Sequence, residues 1–180
     1  MAELKIMFPF IIDHEGGKNA HTNDPLDSGG ETRCGVTRKT FGQIVEDSDD
    51  RFAAMVGGDD DWQLVIQYFA NMVCFSQINS QRIANDLLDW VWGSGKHNPE
   101  YDVQQLINSC FDEHISVDGN LGPLTIAAIN RDDEQSLYDH INDRREKYIA
   151  DIVAANPSQQ HWIHGWENRI HDLETFNSSL

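Results

Sequence analysis

The sequence has few positive charges and no long apolar run, and each shortage excludes a class of function. Thirteen Lys and Arg residues stand against thirty Asp and Glu residues, which gives a net charge of −17 over 180 residues. Because so negative a surface repels phosphate backbones and anionic lipid heads, we expect no nucleic-acid ligand. The longest apolar run, Ile6 to Ile12, is far shorter than the ~20 residues of a membrane-spanning helix, so we expect no membrane insertion.

The same run is too short, and too weakly basic on its N-terminal side, to resemble a secretory signal. We therefore expect the protein to be made in the cytoplasm without a signal peptide. Any action outside the cytoplasm then requires release by another route.

Cysteine is also scarce, and its spacing excludes two further classes of site. The three cysteines are Cys34, Cys74 and Cys110. They are odd in number and lack a Cys-x-x-Cys spacing, so we predict neither a disulfide framework nor a thiolate zinc site, and we expect small buried side chains. Three histidines, His161, His164 and His171, share one helix side, but no His-Glu-x-x-His motif accompanies them. We predict no metal site.

What the chain does contain is helical periodicity, over a length that suits one domain. Apolar residues recur at three- and four-residue spacing in nine segments, with Ser80 as a helix cap and glycines at 93 and 95 as a stop. The predicted helices cover approximately residues 4–15, 38–46, 49–56, 61–75, 81–92, 99–110, 123–130, 137–152 and 162–173. No linker interrupts them, which predicts two lobes, 1–92 and 93–180, packed as one compact unit.

Between the first two helices the periodicity stops, and Gly, Asn, Asp and Pro dominate residues 16–37. A loop this long inside a compact domain is usually functional. Glu15 lies where the apolar helix meets this loop. Partial desolvation there would raise its pKa toward the range of a general acid. An ordinary helix-terminal acid with Gly16 and Gly17 as its C-cap fits the same pattern.

The loop adds Asp24, Asp27 and Thr32 to Glu15. Glycoside hydrolysis typically uses two carboxylates that flank the scissile bond, and Glu15 with one loop aspartate would supply that pair. The same residue types are standard turn formers, so turn chemistry alone is the alternative.

Three features of the second half have two interpretations each. The segment Asp118 to Thr125 could contact glycan or peptide, although an Asp-Gly turn followed by Gly-Pro also simply connects two helices. Trp90 and Trp92 cannot share one helix face, so we expect one in the core, whereas the other could stack on a sugar. The basic residues at 144, 145 and 147 are typical of surface ion pairs on a helix.

Four motifs in order resemble those of glycoside hydrolase family 108 over nearly the whole chain. The first is Glu15-Gly16-Gly17 followed by Asn23 to Thr32 and Gly35-Val36-Thr37; the others are Asp89 to Gly95, Val117 to Thr125 and Gly165 to Arg169. The third motif resembles the family's peptidoglycan-binding segment. This resemblance implies a mainly α, lysozyme-like helical domain with a long Gly-rich active-site loop after the first helix.

The resemblance also implies an N-acetylmuramidase of the kind found in phage endolysins and bacterial release systems. The family's catalytic glutamate falls on Glu15, and its loop aspartate and threonine fall on Asp27 and Thr32. Extra residues between Gly17 and Pro25 make Asp24 a competing second carboxylate. We expect Asp24, Trp92 and Asp118 to bind substrate, and no cofactor is required.

The expected function is therefore cleavage of the β-1,4 bond between N-acetylmuramic acid and N-acetylglucosamine in bacterial peptidoglycan. Lobe 1–92 would be catalytic, and the protein would act as a monomer on the wall after holin-type or other export. Two alternatives remain open. A lytic transglycosylase would cut the same glycan without consuming water, and a cell-wall-binding or secretion-associated module would not cut it at all.

Overall fold

The computed structural model describes residues 1–23, 30–45 and 48–180, with the backbone alone at Ser48. These residues are mainly helical, which confirms the predicted fold class. They form two compact units. We call Leu4–Asn71 the N-terminal unit, and Met1–Glu3 with Met72–Leu180 the C-terminal unit. The predicted division between residues 92 and 93 falls near the end of one helix of the C-terminal unit. A functional boundary there stays a prediction.

The N-terminal unit combines short helices with a small sheet. Its helices are α1 Leu4–His14, α2 Arg38–Phe41, α3 Ser48–Ala54 and α4 Asp59–Met72, the last ending on the first residue of the C-terminal unit's main segment. The predicted apolar face of α4 is buried at Trp62, Val65 and Ile66. Periodicity therefore located these helices, although α2 is shorter than predicted because a turn replaces its second half.

The segment after α1 contains three strands that the sequence did not indicate. These are β1 His21–Thr22, β2 Thr32–Arg33 and β3 Val36–Thr37, paired antiparallel in that order. His21 faces Arg33, and Thr32 faces both Thr22 and Thr37. Strands of two residues are too short to show a period-two alternation, so only their turn residues were visible in the sequence.

The C-terminal unit consists of five longer helices and two 3₁₀ turns. The helices are α5 Gln81–Ser94, α6 His97–Cys110, α7 Pro123–Arg131, α8 Glu134–Ala155 and α9 Ile163–Asn177; the 3₁₀ turns are Phe75–Gln77 and Pro157–Trp162. Ser80 caps α5 by accepting the Ile83 backbone N–H, as predicted. Gly95, with φ of +73°, follows the end of α5 where the stop was expected.

Three expectations about individual side chains were wrong. Among the cysteines only Cys34 is buried; Cys74 is half-buried and Cys110 is exposed. Trp162, predicted as the first residue of the final helix, lies in the preceding 3₁₀ turn, where 57% of it is exposed. Arg145 is not a surface residue: it is 4% exposed and contacts two buried aspartates.

Those aspartates belong to a buried polar cluster, defined here as Asp86, Asp89, Asn142, Arg145 and Asn177. The Arg145 guanidinium donates to Asp89 Oδ2 at 2.6 Å and to Asp86 Oδ1 at 3.3 Å. The amides of Asn142 and Asn177 donate to Asp86 at 2.9 and 3.2 Å. The aspartates lie on α5, Asn142 and Arg145 on α8, and Asn177 on α9. Because these buried charges have their partners on other helices, the cluster fixes the alignment of the three helices.

Candidate functional site

Glu15 follows the last residue of α1, at the point where the helix gives way to a glycine turn. Its backbone N–H still donates to the Ile11 carbonyl at 3.0 Å, and its side chain is half-buried. Gly16 and Gly17 both have φ of +90°, and the Gly17 N–H donates to the Ile12 carbonyl at 2.8 Å. Two successive residues with positive φ favour glycine, so the sequence ends the helix immediately after Glu15.

The turn after Glu15 is held from the other side by residues near the start of α4. The indole Nε1 of Trp62 donates to the Lys18 carbonyl at 2.9 Å. A Cβ atom added to Gly57 would lie 1.8 Å from the same carbonyl oxygen, so only glycine fits at that position. The Asp61 carboxylate in turn accepts the Gly57 N–H at 3.1 Å. The backbone beside Glu15 is therefore fixed by packing and by hydrogen bonds.

Hydrogen bonds also connect this turn to the small sheet that carries Thr32. The Ala20 N–H donates to the Gly17 carbonyl at 3.1 Å, and the Cys34 N–H donates to the Ala20 carbonyl at 3.3 Å. Thr32 is half-buried on the central strand β2, and its hydroxyl donates to the Gly30 carbonyl at 3.4 Å. Glu15 and Thr32 thus belong to one hydrogen-bonded frame within the N-terminal unit.

Glu31 is a carboxylate of this frame that the sequence analysis missed. Arg38 Nη2 donates to it at 2.8 Å, Arg33 Nε at 3.0 Å, and His21 Nε2 lies 2.9 Å away. The hydrogen bonds from Arg38 and Arg33 lower its pKa to about 2. A carboxylate held ionised in this way is no proton donor, so Glu31 instead connects the start of β2 with His21 on β1 and Arg38 on α2. The available signal was the closeness of Glu31 in the sequence to the cations Arg33 and Arg38.

Trp92 and Asp118 lie in the C-terminal unit. Trp90 is 4% exposed and packs edge-on against Tyr148, whereas Trp92 is half-buried, so the two tryptophans do face different environments. Asp118 accepts Gln104 Nε2 at 3.0 Å and the Asn120 N–H at 2.9 Å, contacts that lower its pKa. Asp118 is exposed and orders the turn before α7.

The predicted site residues are thus distributed as follows. Glu15 and Thr32 share the N-terminal unit, Trp92 and Asp118 lie in the C-terminal unit, and Asp24 and Asp27 are outside the described residues. Within the ranges that the structure describes, no group of three or more His, Cys, Asp or Glu side chains could hold a metal ion. No helix in those ranges is long and apolar enough to cross a membrane.

Comparison with known proteins adds two family matches that divide the chain. The family model described as Glycosyl hydrolase 108 matches residues 8–95, and the model described as Predicted Peptidoglycan domain matches residues 101–171. Among curated proteins no match was found. Among solved structures, Brucella abortus SagA is similar, with a TM-score of 0.74 and 18% identity over 98% of this chain and 94% of that one. That similarity is one of fold.

Proposed function

Because the chain belongs to the glycosyl hydrolase 108 family and continues into a predicted peptidoglycan domain, we propose that this peptidoglycan hydrolase is an N-acetylmuramidase with Glu15 as its general acid. The bond cleaved is the β-1,4 linkage between N-acetylmuramic acid and N-acetylglucosamine. The observation that carries the proposal is the position of Glu15: a half-buried carboxyl at a helix end whose following turn is clamped by Trp62 and Gly57.

In the proposed reaction the Glu15 carboxyl donates its proton to the glycosidic oxygen as the bond from that oxygen to the anomeric carbon breaks. The electron pair of that bond goes to the leaving oxygen. Water supplies the new hydroxyl at the anomeric carbon, and the proton that this water releases restores the Glu15 carboxyl. Asp27 is the second carboxylate that stabilises positive charge on the sugar or activates the water, with Asp24 as the competing candidate. Thr32 supports the second carboxylate, while Trp92 and Asp118 bind substrate.

The test is the Glu15→Gln variant assayed on purified peptidoglycan. The amide keeps the shape of the side chain but removes the transferable proton, so turnover should fall by about 10²–10⁴-fold, the usual contribution of a general acid. The matched control is Asp13→Asn, which neutralises an exposed carboxylate two residues earlier on α1 and should leave turnover unchanged. Wild-type turnover in the Glu15 variant would remove this residue from the mechanism.

Mass spectrometry of the new chain ends distinguishes the proposed chemistry from the alternatives. New reducing ends that incorporate oxygen from labelled water support hydrolysis. Anhydro ends without labelled oxygen would instead identify a lytic transglycosylase. Binding without new ends of either kind would identify a wall-binding module.

A further inference from the structure

A groove of about 360 Å³ lies between α6 and α8 in the C-terminal unit. Its polar and aromatic lining residues are Asn98, Tyr101, Asp102, Arg144, Tyr148 and Asp151. This volume is at the lower end of the range for small-molecule sites, and two rings beside several hydrogen-bonding groups are typical of such sites. None of these residues takes part in the reaction assigned above to Glu15.

The two tyrosine rings of the groove differ in how firmly they are held. Tyr148 packs edge-on against the buried Trp90 with ring centroids 5.7 Å apart, and its hydroxyl accepts Asn98 Nδ2 at 3.3 Å. Tyr101 is 38% exposed, with its ring centroid 5.9 Å from that of His97. The groove therefore has one fixed ring and one exposed ring, and the exposed ring of Tyr101 can offer an apolar face to a ligand.

Arg144 is oriented within the groove by acids on both sides. Its Nη2 contacts Asp102 Oδ2 at 2.9 Å, its Nη1 contacts Asp151 Oδ2 at 3.2 Å, and its guanidinium carbon lies 5.9 Å from the Tyr148 ring centroid. Asp102 is only 8% exposed and Asp151 is largely solvated. The guanidinium is thus held in one place while Asp151 stays open to a ligand.

The charge of the groove favours a neutral ligand over an anionic one. Asp102 and Asp151 outnumber Arg144, so the lining carries a net negative charge on a chain of net charge −17. Stem peptides, which are rich in carboxylates, meet repulsion there. Sugar hydroxyl and acetamido groups are uncharged, and Asn98 and Asp151 can hydrogen-bond to them while a tyrosine ring packs on the C–H face of the pyranose.

We propose that this groove binds a sugar residue of the peptidoglycan glycan strand. This inference rests on the proposed function, because the ligand is the same glycan. It assigns to the predicted peptidoglycan domain a site for the glycan and not for the peptide. The groove holds the strand and takes no part in bond cleavage.

Binding of the full chain, carrying Glu15→Gln to prevent turnover, tests the assignment. The probes are chitotetraose and chitohexaose, which carry acetamido and hydroxyl groups but no charge. Tyr101→Ala should weaken binding of both by about three- to tenfold, the worth of one aromatic contact, whereas Tyr101→Phe keeps the ring and should bind as the parent does. The matched control is Trp162→Ala, which removes an exposed ring of the same unit outside the groove and should change nothing.

The outcomes separate this assignment from the proposed function. Equal binding by the Ala and Phe variants at 101, absence of glycan binding, or preferential binding of free stem peptides would each overturn the groove assignment. Hydrolysis of peptidoglycan by the chain with Glu15 intact is measured in parallel. If the groove binds glycan through Tyr101 and no cleavage occurs, the hydrolase fails and the groove stands. If cleavage occurs and Tyr101→Ala binds normally, the groove assignment fails and the hydrolase stands.

Discussion

The two units of the protein place their polar side chains differently. Among the described residues, every buried polar or charged one lies in the C-terminal unit, including Asp86, Asp89, Glu100 and Arg145. In the described part of the N-terminal unit the corresponding ionic group is Glu31 with its Arg partners, and those side chains remain 19–41% exposed. Charged side chains are thus buried in the C-terminal unit, whereas the ion pairs around Glu31 in the N-terminal unit are partly exposed.

The difference matches the elements that each unit has to fix. The C-terminal unit aligns long helices, and a buried cluster specifies that alignment because any other alignment would leave a charge unpaired. The N-terminal unit fixes short strands and a glycine turn beside Glu15. Its exposed ion pairs contribute little stability individually, so close backbone packing at Gly57 does more to hold this turn. Three predictions test this contrast.

The largest effect is expected at Arg145. Replacing it by Met leaves the buried Asp86 carboxylate without its Arg145 partner, whereas Asp89 keeps Arg169 at 2.9 Å; breaking a buried pair in this way typically costs about 3–5 kcal/mol. Urea denaturation measures the loss in the free energy of unfolding. Lys147→Met is the control: it removes an exposed cation two residues along α8 and should change stability by less than about 0.5 kcal/mol.

A second variant tests whether unpaired charge causes that loss. Adding Asp86→Asn to Arg145→Met removes the carboxylate that has lost its cation, while Asp89 stays paired with Arg169, so part of the stability should return. If Arg145→Met costs no more than Lys147→Met, the cluster does not specify the helix alignment and the contrast between the units fails.

An intermediate effect is expected at Gly57. Gly57→Ala places a Cβ atom against the Lys18 carbonyl and forces alanine to a φ of +74°, so the turn next to Glu15 has to move. The strained backbone alone costs about 1–3 kcal/mol, and hydrolysis of peptidoglycan should fall with it. Gly58→Ala, at the adjacent glycine with open space around it, should preserve both stability and hydrolysis. Equal behaviour of the two variants would show that close packing does not hold the turn.

Much of this arrangement could be predicted from the sequence, because helices of ten or more residues repeat their apolar positions often enough to be recognised. Ser80 and Gly95 marked the start and end of α5 for the same local reasons that operate in the structure. The junction of an apolar helix with Gly16 and Gly17 placed Glu15 at a helix end.

The remainder depends on partners distant in sequence. Arg145 resembles its exposed neighbour Lys147 in the sequence, and only Asp86 and Asp89 on another helix make it a buried residue. Glu31 likewise forms its ion pairs only because β2 places Arg33 beside it and α2 supplies Arg38. Local pattern defines elements, whereas the burial of a charge is a property of what packs against it.

The smallest effect is on pH dependence, where Glu100 of the C-terminal unit and Glu31 of the N-terminal unit should respond with opposite sign. Burial raises the pKa of Glu100 to about 7 despite Lys96 at 3.8 Å, while the pKa of Glu31 is lowered to about 2. The raised pKa of Glu100 gives a stabilising contribution that is complete below about pH 4.5 and is lost as the pH rises through 7. A lowered pKa gives stability that is present above about pH 4.5 and lost as the pH falls toward 2.

Variants that remove each titration measure this difference directly. Gln mimics a permanently neutral Glu100. From pH 5 to pH 8 the free energy of unfolding of Glu100→Gln should therefore rise relative to that of the wild type, by on the order of 1 kcal/mol. Glu31→Gln loses its ion pairs, so it should be less stable than the wild type at pH 5. This difference in the free energy of unfolding should become smaller toward pH 3. Glu146→Gln, at an exposed position of α8, controls for the loss of one surface charge. Urea denaturation at the three pH values gives all the differences, and a Glu100→Gln deficit that grows with pH would contradict the assigned sign.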